Sequence, residues 1–370
     1  MDMNDLKGQM INAIKRLKRP DINVIGVDIS DGFIKLAHVY SSEDHSSRIY
    51  VDGAMIYRLP YGIIQDDSII DDESLSVHLR RAIDQFGLRI NDICMGLHSN
   101  QVIIKKITIP AMTQFELVKQ IKFEIDDIIP YDIDDVYVDF DIIGTNSDEL
   151  DKMDVLIIAC KKDIANTYRQ IAKKAGLTLK YLDCESFALE NATAALGIAD
   201  EPSATAIFDI GYNTTSISVL IDSQPLYSKT IVFGTKLLES MICDHYEIKA
   251  TGGHKVIEGY MEKIEDDLVD RFADMLADAL LKLIDFYMAS GFMDVPIKRV
   301  IFAGGGAMIQ RVQPLVAESG VFPGDVTVYN INTQNLYTGT DAELQGFIDT
   351  NIAMLLVPIG LSLRNMDNRS

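Results

Sequence analysis

Cysteine is sparse in this chain of 370 residues, and Cys94, Cys160, Cys184 and Cys243 form no CxxC pair. Cys160 and Cys184 lie among aliphatic residues, so buried reduced thiols are expected, not disulfides or zinc ligands. The six histidines show no HExxH spacing, which argues against a catalytic zinc helix. No apolar run reaches the roughly 18 residues of a membrane span, and the first residues lack the apolar core of a signal peptide. A cytoplasmic chain is therefore expected. Positive charge is short as well: 34 Lys and Arg face 55 Asp and Glu, for a net −21. No basic cluster interleaved with aromatics occurs in the body of the chain. Nucleic acid is thus excluded as a partner, because a phosphate backbone needs a positive counter-surface. Length alone points to about two domains.

What is present is a repeated pattern. Residues 204–220 read as an apolar strand, a tight turn at Asp209-Ile210-Gly211, and a second strand. Residues 24–36 repeat it, with Asp28 at the end of the first strand and Asp31-Gly32 as a two-residue hairpin turn. Such turns present backbone N–H groups to an anion, and an Asp at the strand end can hold a cation through water. Two copies predict a duplicated α/β fold with a phosphate and a metal between the halves. Gly304, Gly305 and Gly306 follow a third apolar strand and open a helix expected over 307–317. Backbone N–H groups and a helix dipole would meet there. Taken alone, the triplet also fits a turn kept for packing. Lys35 can reach a phosphate, although a surface Lys at a strand end is the plainer alternative.

Three domains follow. Residues 1–20 carry apolar positions at helical spacing and five Lys or Arg against two Asp. This segment can lie on an anionic bilayer as a peripheral contact, or be a solvated tail. Residues 21–203 form the first domain, interrupted at about 101–177 by an inserted strand–helix–strand–strand unit with a capping box at Thr113 and Glu116. Residues 204–370 form the second domain after a linker at 200–203, and its last helix packs back toward the first. Further helices are expected near 75–86, 236–245 and 263–290. Within the insert, Glu124, Asp126, Asp127, Asp132, Asp134, Asp135, Asp139 and Asp141 crowd into eighteen residues. They lack the turn glycine and closing glutamate of an EF-hand. A solvated face is one reading, and a surface that attracts a basic partner tail is the other.

In order, GVDIS with Lys35, LDCESFAL (182–189), FDIGYNTTSI (208–217) and FAGGGAMI (302–309) resemble the phosphate-1, connecting, phosphate-2 and adenosine segments of the actin/Hsp70/sugar-kinase superfamily. The insert narrows this. Residues 108–144 and 154–177, with the closing PIGLSLR, resemble the PilM family of type IV pilus assembly proteins, related to FtsA. The resemblance runs from about 24 to 364. It implies an actin-like scaffold with an SHS2-like insertion at the cytoplasmic face of the inner membrane. It further implies binding of the cytoplasmic N-terminal tail of a PilN-like membrane protein in a groove beside the insert. Other pilus components, including the assembly ATPase, are implied partners, and homo-oligomers stay open. ATP and Mg²⁺ are the implied cofactors. Their binding falls on Asp28, Ser30, Lys35, Asp209, Gly211, Asn213, Thr215, Gly234, Gly304, Gly305 and Gly306, with Asp28, Glu185 and Asp209 for the metal.

The match also shows losses. Asp31 adds a charge to the first turn, which at a few ångströms costs on the order of 1–4 kcal/mol. Tyr212 replaces Ala in the second turn, and Phe233 replaces a Gly before Gly234. Ala250, Thr251 and Lys255 keep only part of an adenine-side motif. Weakened nucleotide binding is expected. No catalytic residue is assigned, although Asp183 and Glu185 can polarise a water. A scaffold is therefore expected over an efficient ATPase. An active ATPase or kinase of the superfamily and an FtsA-like filament protein are the alternatives.

Overall fold

Each half opens with an apolar strand that runs without alternation into an Asp, because that strand is central and covered on both faces. In this computed structural model, residues 23–41, 49–146, 149, 151–198, 203–221, 224–248, 264–292 and 295–365 are described. The segment 1–20, positions Ala250, Thr251 and Lys255, and most of the linker lie outside them, as do the side chains of Glu124, Asp126 and Asp127.

In the first half, β1 (Ile25–Ser30), β2 (Phe33–Ser41) and β3 (Ile49–Arg58) form an antiparallel meander. A two-residue-strand hairpin, β4 (Ile64–Gln65) and β5 (Ser68–Ile69), precedes α1 (Asp72–Phe86), whose N-terminus is capped by Asp71. Strand β6 (Asp92–Leu97) then pairs parallel to β1. The insert follows as β7 (Val102–Pro110), α2 (Gln114–Ile128), β8 (Val136–Thr145) and β9 (Lys152–Lys161), with β9 central in its sheet. Thr113 and Glu116 form the expected reciprocal cap at the head of α2. The chain returns through α3 (Lys162–Lys174), β10 (Thr178–Cys184) and α4 (Glu185–Ala195).

In the second half, β11 (Ala204–Ile210), β12 (Thr215–Ile221) and β13 (Gln224–Ile231) repeat the meander. Helices α5 (Lys236–His245) and α6 (Asp266–Tyr287) follow, the latter running into a π-turn over Met288–Phe292. After β14 (Ile297–Ala303) come a 3₁₀ turn at Gly305–Met308 and α7 (Val312–Glu318). The last elements are β15 (Thr327–Val328), β16 (Leu336–Tyr337) and α8 (Ala342–Ser362). The sheet orders are β10-β6-β1-β2-β3-β16 and β13-β12-β11-β14-β15. Leaving β16 aside, one order maps onto the other strand for strand, so the fold is duplicated. β1 and β11 are the equivalent central strands.

Helices α4 and α8 form a layer between the sheets, packed on Val24, Ala37 and Val39 from one and Ile207, Leu220 and Ile301 from the other. This layer is dense. A Cβ on Gly26 would lie 1.9 Å from the Pro358 carbonyl oxygen, so only Gly admits the helix there. Among the described residues α8 is the one helix long and apolar enough to cross a membrane, and half of that stretch is buried in this layer. The four cysteines are free and buried.

Three expectations change. The insert closes at Lys161 and not at 177, because Ala165, Tyr168 and Ile171 of α3 enter the core of the first domain with Val27 and Leu79. The turn after β11 is Gly211–Thr214, closed by the Gly211 N–H on the Thr214 carbonyl at 2.9 Å, while Asp209 and Ile210 stay in the strand. The helix expected over 307–317 is broken at Arg311 (φ 70°). Pro314 cannot sit in the interior of a helix that begins at 307, so α7 restarts with it in the first turn.

Candidate functional site

The β1–β2 and β11–β12 turns face each other across a cleft of about 240 Å³ lined from both halves. Strand pairing sets its floor. Asp28 stands opposite Lys35 in the first hairpin, and Lys35 Nζ lies 2.7 Å from Asp28 Oδ2. Burial alone would lower the Lys35 pKa, yet Asp28, Asp209 and Glu185 hold it above the ordinary value. Glu185, first residue of α4, reaches His98 Nδ1 at 2.7 Å. Burial opposes that charge too, but Glu185, Asp67 and Asp28 overcome it and push His98 up to about 10. Asp209 lines the floor as well. Burial, then Glu185, raise its carboxyl to about 7.

Asp28, Ser30, Lys35, Glu185, Asp209, Gly211, Gly304 and Gly305 line this cleft together. The other predicted positions do not. Thr215 spends its hydroxyl on the Phe233 carbonyl at 2.8 Å. Gly234 and Gly306 are packing glycines: a Cβ would lie 2.2 Å from the Tyr212 carbonyl oxygen and from the Ile210 side chain, respectively. Gly304 also serves packing, with φ 82° and Asp209 Oδ1 2.3 Å from a would-be Cβ, whereas Gly305 faces open space. Asn213 is buried and bonds Asp31 and Asp67 of the other half.

Phe233 is a correction. Its ring stacks on Phe272 at 5.8 Å within the second-domain core and does not line the cleft. Tyr212 does line it, and its hydroxyl donates to Glu239. His98 and Asp67 escaped the sequence reading. His98 follows a buried strand, which is a signal only once β6 is known to neighbour β1. Asp67 falls in an acidic stretch, 66–73, whose pattern is that of a solvated loop.

The profile of the family described as "Type IV pilus assembly protein PilM" matches residues 26–366. The chain belongs to the PilM family. Among solved structures, a PilM–PilN type IV pilus biogenesis complex superposes with TM-score 0.78 at 19% identity, covering 94% of this chain and 100% of the other. The ethanolamine utilization protein EutJ of Carboxydothermus hydrogenoformans gives 0.53 at 15%, with coverages of 96% and 97%. MreB5 of Spiroplasma citri bound to ADP gives 0.50 at 12%, with coverages of 95% and 98%. At these identities the likeness shows the fold, which is actin-like.

A Mg-nucleotide would need free N–H donors and free positive charge between the turns. The Gly211 N–H is spent on Thr214, and those of Thr235 and Lys236 at the head of α5 are spent on the carbonyls of Gly211 and Tyr212. Lys35 is committed to Asp28, while Asp31 and Asp67 bring two carboxylates to the gap. Among the described residues, no three His, Cys, Asp or Glu are grouped to hold a metal directly. In this arrangement these donors and this charge are engaged within the chain.

Proposed function

We propose that this protein is an actin-like scaffold of a type IV pilus machine at the cytoplasmic face of the inner membrane. It binds the cytoplasmic N-terminal tail of a PilN-like membrane protein beside the insert, and its nucleotide binding is weakened. Assembly, not turnover, is its work. The observation that carries this reading is a second concavity of about 210 Å³ where the inserted sheet meets the first domain. Its lining combines apolar Val102, Ile103 and Val136 with Tyr131 and Lys161. Lys161 Nζ sits 4.2 Å from the centre of the Tyr131 ring, a paired rim that suits a mixed apolar and charged peptide. The PilM–PilN complex among the structural relatives supports the partner class. MreB5 bound to ADP supports a nucleotide origin for the cleft, and the carboxylates between the turns support its weakening.

Fluorescence anisotropy with a labelled peptide of the partner's first dozen residues tests the groove. Tyr131→Ala is expected to weaken binding at least about tenfold, since an aromatic anchor in such a site contributes about 2 kcal/mol. Unchanged affinity would move the site elsewhere.

A further inference from the structure

The β4–β5 hairpin is too short to be a structural strand pair of any consequence, yet it is placed where the two halves meet. Its ladder, Ile64 with Ile69 and Gln65 with Ser68, leaves Asp66 and Asp67 as a two-residue tip. Both take positive φ, 50° and 59°, a conformation that costs an L-residue energy and is normally given to Asn or Gly. Asparagine and glycine would make the turn at less cost, so the tip's chemistry lies in its carboxylates.

Those carboxylates cross the cleft. Asp67 Oδ1 accepts from Asn213 Nδ2 at 3.2 Å, and Asp66 accepts from Lys236 at the head of α5. Both donors belong to the second half. Asp31, at the tip of the β1–β2 turn, joins them: its Oδ2 accepts from Asn213 Nδ2 at 2.8 Å and from the Asp67 N–H at 3.4 Å. On its own side the tip is braced by Asn100, whose Nδ2 donates to Asp67 Oδ2 at 3.2 Å, and by Gln101, whose Nε2 donates to the Asp67 carbonyl at 3.3 Å. Gln101 is itself held by the buried Tyr168 hydroxyl at 3.1 Å. The Lys236 pair is exposed and contributes little by itself. The bonds to buried Asn213 are better shielded from water.

We propose that the Asp66–Asp67 tip, together with Asp31, is a bolt that holds the cleft closed by bonding the second domain through Asn213 and Lys236. With side chains 2.8 Å apart, Asp31 and Asn213 leave no room for a phosphate group between those two tips until the bolt is drawn. The bolt does not depend on which anion uses the cleft.

Replacing both tip residues, Asp66→Gly with Asp67→Gly, separates a bolt from an ordinary turn. Glycine relieves the positive φ, so a purely local hairpin becomes better protected, whereas a bolt loses the Asp67–Asn213 and Asp66–Lys236 bonds and keeps Asp31 alone on Asn213. Hydrogen exchange on the full chain reads the difference. The expected result is about tenfold faster exchange of the amides at 68–70 and 211–214 in the variant, with helix α8 unchanged. Unchanged or slower exchange there overturns the proposal. Mg-ATP titrated into both proteins keeps the nucleotide reading separate. Faster exchange with higher Mg-ATP affinity upholds both, and faster exchange without any gain upholds the bolt while removing nucleotide from the account of the cleft.

Discussion

Asn213 donates a hydrogen bond to Asp31 over 2.8 Å, and the two residues, 182 apart in sequence, occupy the tips of duplicated hairpins. Side chains of this chain itself span the gap between the two halves. Neither residue type is demanded by its turn, since the β1–β2 loop needs two residues and the β11–β12 loop four. The pairing instead gives the cleft a built-in closure.

Its pH dependence follows from Asp31. Burial, then Asp67, raise its carboxyl from 3.8 to about 6. Between those values the folded chain holds a proton that the unfolded chain has lost, so this contribution to stability falls as pH rises and is level above about 6. Around it, His98 and Lys236 keep their charge through that window, and Tyr212 stays neutral. Urea unfolding should place Asp31→Asn above the parent at pH 7.5 and level with it below about pH 4. Parallel curves at both pH values would contradict the assignment.

The His98–Glu185 pair predicts a slope of the same sign in a higher pH window. A histidine raised from 6.5 to about 10 stabilises the fold fully below 6.5, and that stability is lost as pH climbs through about 10. His98→Ala should cost about 3 kcal/mol at neutral pH, because Glu185 loses the cation it faces in the cleft. A loss under about 0.5 kcal/mol in urea unfolding would show that water replaces the imidazole.

Tyr212 and Phe233 should now separate. Tyr212→Ala removes bulk from the cleft and is expected to raise Mg-ATP affinity. Phe233→Ala is expected to leave affinity alone and to lower stability by about 2 kcal/mol, through the lost stack on Phe272. Equal effects on affinity would return Phe233 to the cleft wall.

Asp154 tests the insert. Its carboxylate accepts from Lys106 at 2.8 Å, Thr108 at 2.7 Å and Asn146 at 2.9 Å, and the Lys106 and Asn146 bonds lead in holding it down to about 2. A depressed acid stabilises above 3.8 and loses that stability as pH falls through about 2. Asp154→Ala should loosen β7–β9, costing about 1–3 kcal/mol, with faster exchange confined to the insert. Spread of that loss into β1 and β6 would mean that the insert is not a separate unit.

Much of this architecture is legible in the chain. The two strand–Asp–turn units stand out because β1 and β11 are covered on both faces, and the insert stands out through its capping box and alternating strands. Other features leave no periodic trace. Strands β4, β5, β15 and β16 have two residues each, too few for any pattern. A turn position sets the backbone but not which way a side chain leaves it, so Phe233 read as a wall until Phe272 was placed. Helix α3 shows one apolar stripe whether it faces the insert or the first-domain core. Asp66-Asp67 hid the cross-cleft contact because acidic dipeptides are common in solvated loops.

The scaffold account is tested most directly by calorimetry on the full chain, titrating in turn the partner's N-terminal peptide and Mg-ATP. The account predicts heat from the peptide, lost in Tyr131→Ala, and weak or undetectable heat from Mg-ATP. A chain that ignores the peptide while binding and turning over Mg-ATP would contradict it.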